Sequence, residues 1–553
     1  MSPTSRRHRD ESVARRSGVG TTYPEPMTTP VDLATKSPVA PPGSWTAAAS
    51  WILAAAVLRA GLSALVPLLP DETYYWEWSR QLAAGYFDHP PGIALLIAAG
   101  TRLFGHTAMG VRAGPAMAAL LMHVAAVVCA WQLAGRGPTG LRAATRAAIL
   151  VALLPIATLG LVLATPDALL FASAMFALLG VERALAAPLR SWRSLGWWTV
   201  AGVGLGAAFV AKYTAVLLPM GLVIACVLHP ALRRRFAEPG PWLASIIALG
   251  LFAPVVAWNA LNDWVSFRFQ LGHGFNPSAR GNPLSRELEM LGGQVGLASP
   301  ILFVLMAGAV WFALRDGWRM RRDLAPTDPM ARRFALAVIA VAPLAFFAVS
   351  AWRRSVEANW PAMIYPGAIM LLATSEKPWA YGRWWHRGLA VAAMLLAIVA
   401  WQAATPVLPI PPRRDPIARA HGWETLAAAV DSSRQSNFLT GTVDQWVAAD
   451  RYQDASELAF HLSDQPTVFA LNLGGRTNQY DIWPNAYDKI RPGDGLVAAF
   501  DADAKGDSLA GVVGSWFAAS QRGVTVPLRR GDGIVTERRI WLYRIARDVP
   551  RRP

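Results

Sequence analysis

Asp71-Glu-Thr-Tyr-Tyr-Trp-Glu-Trp-Ser-Arg80, continuing through Gly85-Tyr-Phe-Asp-His-Pro-Pro91, follows directly on the apolar run from Ser44 to Pro70. Its carboxylates therefore stand where a first membrane-spanning helix meets water. Ionisable groups at that depth are costly and tend to be kept for function. Trp and Tyr crowd the same stretch, as they do at membrane interfaces, because their rings are apolar and their edges polar. Asp71 and Glu72 are adjacent, so on a helix their side chains diverge by about 100°. Both serve one site only if the chain bends there, which Pro70 favours. Asp71 is the candidate general base and Glu72 its support; the competing structural reading has both merely ending a helix in the headgroup zone.

Of the 553 residues, 54% are hydrophobic and 16% charged, which marks an integral membrane protein. The net charge of +16 does not point to nucleic acid, because the basic residues sit in short clusters beside apolar runs. Cys129 and Cys226 each lie inside an apolar run without a partner at metal-ligand spacing and read as small buried hydrophobes. Residues 1–43 are polar and rich in Pro, Ser, Thr and Arg, the composition of a disordered cytoplasmic tail. The first apolar run lacks a small-residue cleavage signature and reads as a retained anchor.

A span of the ~30 Å hydrocarbon core needs about 20 apolar residues, and roughly eleven runs are candidates. They fall near 46–69, 109–134, 143–162, 165–187, 196–211, 213–230, 240–261, 289–315, 332–352, 358–374 and 385–405. Arginines follow every even-numbered run: Arg136, Arg142 and Arg146 after the second, Arg233, Arg234 and Arg235 after the sixth, Arg315, Arg319, Arg321 and Arg322 after the eighth. Basic loops stay in the cytoplasm, so these loops and the N-terminus are expected inside and the odd exits outside. The expected architecture is a mainly α, polytopic helical bundle over 44–408, with outer loops 71–108 and 262–288, and a small α/β domain over 409–553 on the outer side. In that tail, 422–433 and 443–462 read as helices, 467–473 and 495–502 as strands, and Arg530-Gly-Asp-Gly533 as a hairpin turn.

The polar residues that stand out all fall on the expected outer side. Asp88-His89-Pro90-Pro91 holds a carboxylate and an imidazole on stiffened chain; Asp88, with His273 from the later loop, is a candidate ligand pair for a divalent metal, and His89 a candidate phosphate contact. Asp167 in Thr165-Pro-Asp167 serves either substrate or a helix N-terminus. Lys212 lies in an apolar stretch, where its ammonium needs a phosphate or carboxylate partner or a route to the interface. Arg268, Arg353 and Arg354 depart from the basic-inside pattern and suit bidentate phosphate binding. Tyr74, in the opening stretch, joins this substrate-binding set. Gly-rich phosphate loops, nucleophile elbows and zinc motifs are not found. One-sided polarity favours an enzyme over a transporter, whose polar groups cluster at the midplane.

Taken together, Asp71-Glu-Thr-Tyr-Tyr-Trp-Glu-Trp-Ser, Tyr86-Phe-Asp-His-Pro-Pro91, Thr165-Pro-Asp-Ala-Leu, Ala211-Lys-Tyr-Thr-Ala, Trp258-Asn-Ala-Leu-Asn-Asp-Trp-Val-Ser-Phe-Arg-Phe-Gln and Glu357-Ala-Asn-Trp-Pro resemble bacterial glycosyltransferase family 39. That group of polytopic enzymes is related to protein O-mannosyltransferases and the lipid A aminoarabinose transferase. The resemblance covers about 46–405, and Asn472-Leu-Gly-Gly-Arg-Thr-Asn-Gln-Tyr-Asp resembles the tail of one bacterial branch. It implies a polyprenyl-phosphate-linked sugar donor such as an undecaprenyl carrier, and an acceptor lipid, glycan or protein at the outer face of the cytoplasmic membrane. It further implies an inverting transfer with Asp71 as base, with no nucleotide and no nucleic acid involved. Where the aminoarabinose transferase has Glu-Lys-Pro, this chain has Asp88-His89-Pro90, leaving the lysine's phosphate role to His89, Lys212 or Arg353. Two rivals remain at this level: a flippase for lipid-linked saccharide, and a non-catalytic cell-envelope assembly protein.

Overall fold

The computed structural model describes residues 43–275 and 282–544, the side chains of 273–275 apart. All but the last residue of the expected 1–43 tail, and the side chain of His273, thus lie outside the described residues.

Helices α1 (Trp45–Leu65), α2 (Pro70–Arg80), α3 (Gly92–Phe104), α4 (Ala108–Leu133), α5 (Gly137–Leu153), α6 (Pro155–Thr158), α7 (Pro166–Ala186), α8 (Trp192–Ala211), α9 (Leu217–Leu228), α10 (Pro230–Arg233) and α11 (Pro239–Leu261) build the first part. After them come α12 (Val265–Phe275), α13 (Pro283–Ala298), α14 (Pro300–Arg319), α15 (Pro329–Ala351), α16 (Ile364–Ala373) and α17 (Arg383–Ala404). Most begin with Pro in their first turn, where the missing N–H costs nothing and φ is already helical.

Eight helices among the described residues are long and apolar enough to cross a membrane: α1, α4, α7, α8, α11, α14, α15 and the segment Pro378–Ala404 that ends in α17. A ninth span is reached if the bent pair Tyr213–Leu228 and Pro230–Ala237, which turns by 112°, counts as one. The protein is a multi-pass membrane protein; by helix length and composition up to nine of the expected eleven runs qualify as spans, and the runs at 143–162 and 358–374 form shorter helices. The run at 143–162 ends its helix at Leu153, because Pro155 cannot donate to the preceding turn. The run at 289–315 divides at Ser299-Pro300 into α13 and α14, with Ser299 in the left-handed region (φ 66°). The run at 358–374 yields a short 3₁₀ turn and the ten-residue α16, whose residues are all buried among other helices. Hydrophobic runs do not distinguish burial in lipid from burial in protein. Cys129 and Cys226 are free and buried, as expected for small hydrophobes.

Gly92, at the start of α3, lets that helix approach α8 closely: a Cβ there would lie 2.7 Å from the Val210 carbonyl oxygen. Side chains of α4, α7, α8, α9, α14, α15 and α16 make the main bundle core.

The tail holds α18 (Trp423–Arg434), α19 (Tyr452–His461), α20 (Ala486–Lys489) and α21 (Ala504–Gly514) with strands β1 (Gln445–Ala449), β2 (Val468–Ala470), β3 (Gly495–Asp501), β4 (Ala519–Arg530) and β5 (Gly533–Arg544). The sheet order is β2-β1-β3-β5-β4. Strands β2, β1 and β3 are parallel, with Val447 opposite Val468 and Val497; β5 joins β3 antiparallel, and β4 and β5 form the hairpin through Gly531 (φ 55°). One sequence expectation fails: 443–462 is not a single helix but β1 followed by α19. Its alanines favour a helix locally, whereas pairing on both sides of β1 favours a strand, and tertiary context wins.

The tail is less separate than its sequence suggests. One sheet face buries Phe469, Phe500, Val513 and Tyr543 under α21. The other face shares a continuous core with α2 and α3: Trp423, Leu426, Leu458 and Val497 belong to the same cluster as Tyr74, Trp76, Trp78 and Ile93. Helix α19 lies directly on α2, with the Tyr74 and Tyr452 rings 4.5 Å apart and Trp76 edge-on to Phe460 at 5.1 Å.

Candidate functional site

The first turn of α2 sets two adjacent carboxylates to opposite tasks. Glu72 is fully buried, and each of its oxygens takes two donors. Oε1 accepts from Arg112 Nε (2.8 Å) and the Ala164 N–H (2.8 Å); Oε2 accepts from Arg112 Nη2 (2.5 Å) and the Leu69 N–H (3.0 Å). The same guanidinium donates to the carbonyls of Ser63, Val66 and Pro67, closing the C-terminus of α1. This ion pair thus joins the end of α1, the start of α2, α4 and the strand-like approach to α7. It leaves Glu72 no lone pair for a reacting proton.

Asp71, one position earlier, points elsewhere. Its side chain is accessible, and among the described residues it makes no hydrogen bond or ion pair. The protein around it nevertheless excludes enough water to push its carboxyl above the ordinary value of 3.8; Arg419 opposes that rise, Asp88 adds to it, and Arg476 opposes it. Asp71 is a recessed carboxylate with its acceptor capacity unspent.

The 86–91 loop is clamped from three directions. Asp88 Oδ2 accepts from the Tyr74 hydroxyl (2.8 Å) and Oδ1 from Arg476 of the tail (2.8 Å). Tyr74 Oη in turn accepts from the Gln479 N–H (2.7 Å), and Gln479 Oε1 takes the Phe87 N–H (2.7 Å). From α12, Ser266 donates to the Tyr86 and Phe87 carbonyls and Gln270 to that of Asp88 (2.7 Å). Helix α12 reaches this loop because Asp263 and Trp264 both adopt left-handed φ (54° and 55°), reversing the chain after α11. Tyr213, at the end of α8, completes the clamp through Ser266 (2.9 Å).

Asp167 and Lys212 meet as an ion pair at 2.9 Å, and Asn359 donates to the other Asp167 oxygen at 2.8 Å. Asp167 stands in the first turn of α7 and Lys212 caps α8, so the charges of the two helix ends are used against each other. Tyr75 lies between this pair and the other carboxylates: burial raises its hydroxyl well above the ordinary range, with Asp71, Asp88, Tyr452 and Asp167 all adding. Its ring is 6.1 Å from that of His89.

Arg268 and Arg353 are exposed and have no acidic partner among the described residues. Arg354 is half-buried with its guanidinium 5.8 Å from the Trp360 ring. Both arginines of that pair stand on the 352–360 segment whose Asn359 reaches Asp167, while Arg268 stands on α12 between Ser266 and Gln270. Of the expected metal pair, the His273 side chain lies outside the described residues. Both Asp88 oxygens are engaged by Tyr74 and Arg476, and no group of three His, Cys, Asp or Glu side chains gathers among the described residues.

Sequence reading overlooked Tyr75, Tyr452, Arg419 and Arg476. Tyr75 stood inside the stretch already singled out. Arg476 lay in the Gly474-Gly-Arg-Thr turn of the tail, where nothing local ties it to Asp88, 388 positions earlier in the chain.

Residues 88–258 match the family described as dolichyl-phosphate-mannose-protein mannosyltransferase. The chain is 30% identical over 334 residues to the lipid A galacturonosyltransferase RgtD of Rhizobium johnstonii, which covers 59% of this chain; the chain spans 63% of that relative's length. Its fold is that of ArnT from Cupriavidus metallidurans: the apo crystal structure aligns with a TM-score of 0.60 at 16% identity, covering 90% of this chain and 98% of ArnT. The structure of ArnT bound to undecaprenyl phosphate aligns equally well, at 15% identity over 91% and 99% of the two chains.

Proposed function

We propose that this chain is a membrane glycosyltransferase that moves a sugar from a polyprenyl-phosphate carrier to a lipid A-type glycolipid, with inversion, at the outer face of the cytoplasmic membrane. The observation that carries the reading is the division of labour in α2, where Glu72 is consumed by Arg112 and Asp71 is left without a hydrogen bond among the described residues, near Tyr75 and Asp88. The relatives supply the chemistry: one acts on lipid A, and another is seen with undecaprenyl phosphate. The arginine clusters after alternate apolar runs of the sequence favour an orientation with α2, α12 and the tail outside.

In this reaction an acceptor hydroxyl or phosphate oxygen attacks the anomeric carbon while the bond from that carbon to the carrier phosphate breaks. The electron pair leaves with the phosphate oxygen, and a hydroxyl acceptor gives its proton to Asp71. The raised carboxyl of Asp71 makes it a better base than an ordinary aspartate, and Arg419 opposes the rise. Charge develops on the leaving phosphate, and we assign the guanidinium groups of Arg268 and Arg353, which have no acidic partner among the described residues, to meet it, with Lys212, held by Asp167, beside them. Tyr74, His89 and Arg354 shape the walls of the site, and Asp167 holds Lys212 in place.

The test uses full-length protein in lipid with polyprenyl-phosphate sugars and a lipid A acceptor, measuring release of polyprenyl phosphate. Wild type should release it with formation of glycosylated acceptor. Transport of intact lipid-linked sugar across the vesicle, without release, would refute the reading.

A further inference from the structure

A cavity of about 490 Å³ lies in the tail domain against Pro70, the first residue of α2. Its floor is built from the residues that follow β1 and β3, Arg451 to Asp454 and Asp501 to Asp503. Strand β1 is the point at which the parallel sheet changes direction: β1 connects through α19 to β2 on one side, and the chain then returns to β3 on the other. Two connections leaving in opposite directions open a crevice outside the strand ends, which is where open α/β sheets hold ligands. The volume falls in the range of small-ligand sites.

The charges in this crevice are unequal in availability. Arg538 is consumed by Asp454 (2.6 Å) and Asp501 (2.5 Å), and Arg451 leans on the same two carboxylates (3.5 and 2.8 Å). Asp503 accepts from the Gly506 N–H at the start of α21. Arg413 and Arg419, by contrast, are exposed to the cavity and have no acidic partner or side-chain hydrogen bond among the described residues. Arg419 is also the cation with the largest electrostatic effect on Asp71.

We infer that this crevice is an acceptor subsite that takes the anionic head of a phosphorylated saccharide, with Arg413 and Arg419 on the phosphate. The inference rests on the function proposed above and assigns the tail a role in it. A guanidinium with its donors unspent is suited to a phosphate, and the sugar would lie over the strand ends, where Gln453 and Thr536 offer hydrogen bonds. The carrier's phosphate has a different place: it arrives through the bilayer, beside the helix ends that hold Asp167 and Lys212.

Two measurements on the full-length protein test this. Calorimetric titration with glucosamine 1-phosphate should show binding that weakens roughly tenfold in Arg419→Ala and further in the Arg413→Ala/Arg419→Ala pair, with Arg419→Lys recovering part of it. In the transfer assay the same substitutions should raise KM for the acceptor about tenfold and leave KM for the polyprenyl donor within twofold. Equal binding of the sugar phosphate by wild type and the double variant would overturn the assignment, as would a rise in donor KM alone. Displacement of glucosamine 1-phosphate by phosphatidylglycerol vesicles would also overturn it, by showing a site that reads lipid headgroups. The titration needs no turnover, so loss of the transferase reading leaves its result interpretable, and failure of binding leaves the Asp71 assignment untouched.

Discussion

Both ends of the helical bundle spend buried guanidinium groups on closing helix ends, and the tail end differs in holding a carboxyl, Asp71, that is raised by exclusion of water and makes no hydrogen bond among the described residues. At the end away from the tail, Arg235 pairs with Glu238 (2.7 Å) and donates to the Leu185 and Ala187 carbonyls. Arg146 closes onto the carbonyls of Leu372, Ser375 and Ala380, Arg333 onto that of Thr374, and Arg332 pairs with Glu182. Each of these guanidinium groups ties off a helix end. At the tail end the Glu72–Arg112 pair does the same, but Asp71, Arg268, Arg353 and Arg419 around it are left unpaired among the described residues. Buried charges that close helix ends hold the fold, and charges of the same types left open beside them are available to a substrate.

The sharpest way to break this comparison is Asp71→Asn. It removes the open carboxylate and touches no hydrogen bond, so turnover should fall by about 10²- to 10⁴-fold while thermal stability stays unchanged. Wild-type kcat/KM should also lose activity on acidification at a higher pH than an ordinary aspartate gives. A base works only when ionised, and burial has raised this carboxyl above 3.8. Undiminished turnover in a folded Asp71→Asn protein would erase the distinction between the two ends.

Arg112→Ala should give the next largest effect, and on stability. It strands Glu72 with no counter-charge in a buried site, at a cost of about 3–5 kcal/mol, read as lost folded protein or a lowered unfolding midpoint. Glu72→Gln with Arg112→Ala together should cost less than the sum of the separate changes, because the stranded charge is gone.

Glu77 sharpens the contrast through pH. Burial raises its carboxyl from 4.5 to about 7 in spite of Arg80 beside it, so the folded state holds the proton more tightly than the unfolded chain. Its stabilising contribution is complete below about 4.5 and disappears as pH rises through about 7, a change of at most about 3 kcal/mol. Denaturant midpoints measured across that window should decline, and Glu77→Gln should flatten the slope.

The smallest effect is expected for Arg476→Ala, which removes a partly exposed contact between the tail and Asp88. It should cost about 1 kcal/mol or less and show as faster hydrogen exchange in the 86–91 loop, with the bundle unaffected.

Much of the fold was legible. A first anchor followed by an aromatic, acidic stretch, long apolar runs separated by arginine clusters, and an Asp-Gly hairpin in the tail can be read because each depends on local composition or short periodicity. The runs at 143–162 and 358–374 give helices shorter than their apolar stretches, since local composition does not show where a chain breaks its helix; α5 ends at Leu153, and α16 is short and entirely enclosed. The β1 strand misled for a related reason, since its form comes from neighbours on both sides. In the site, Asp71, Asp88, Asp167 and Lys212 stood out as charges in costly places. Their partners did not: Arg112 read as one more basic residue near a membrane end, and Arg419 and Arg476 as part of a distant tail.

The amino-acid sequence by itself determined that the chain lives in a membrane, that its acidic and aromatic residues gather near the first helix end, and which residue types are offered for chemistry. Hydropathy and residue identity are properties of neighbours along the chain, so they survive without a fold. Only the tertiary structure decided which of two adjacent carboxylates is spent, that Asp167 neutralises Lys212, and that the tail packs on α2 and brings Arg419 and Arg476 to the site. Those outcomes depend on where a helix turns each side chain and on contacts between residues up to 405 positions apart, which no local pattern encodes.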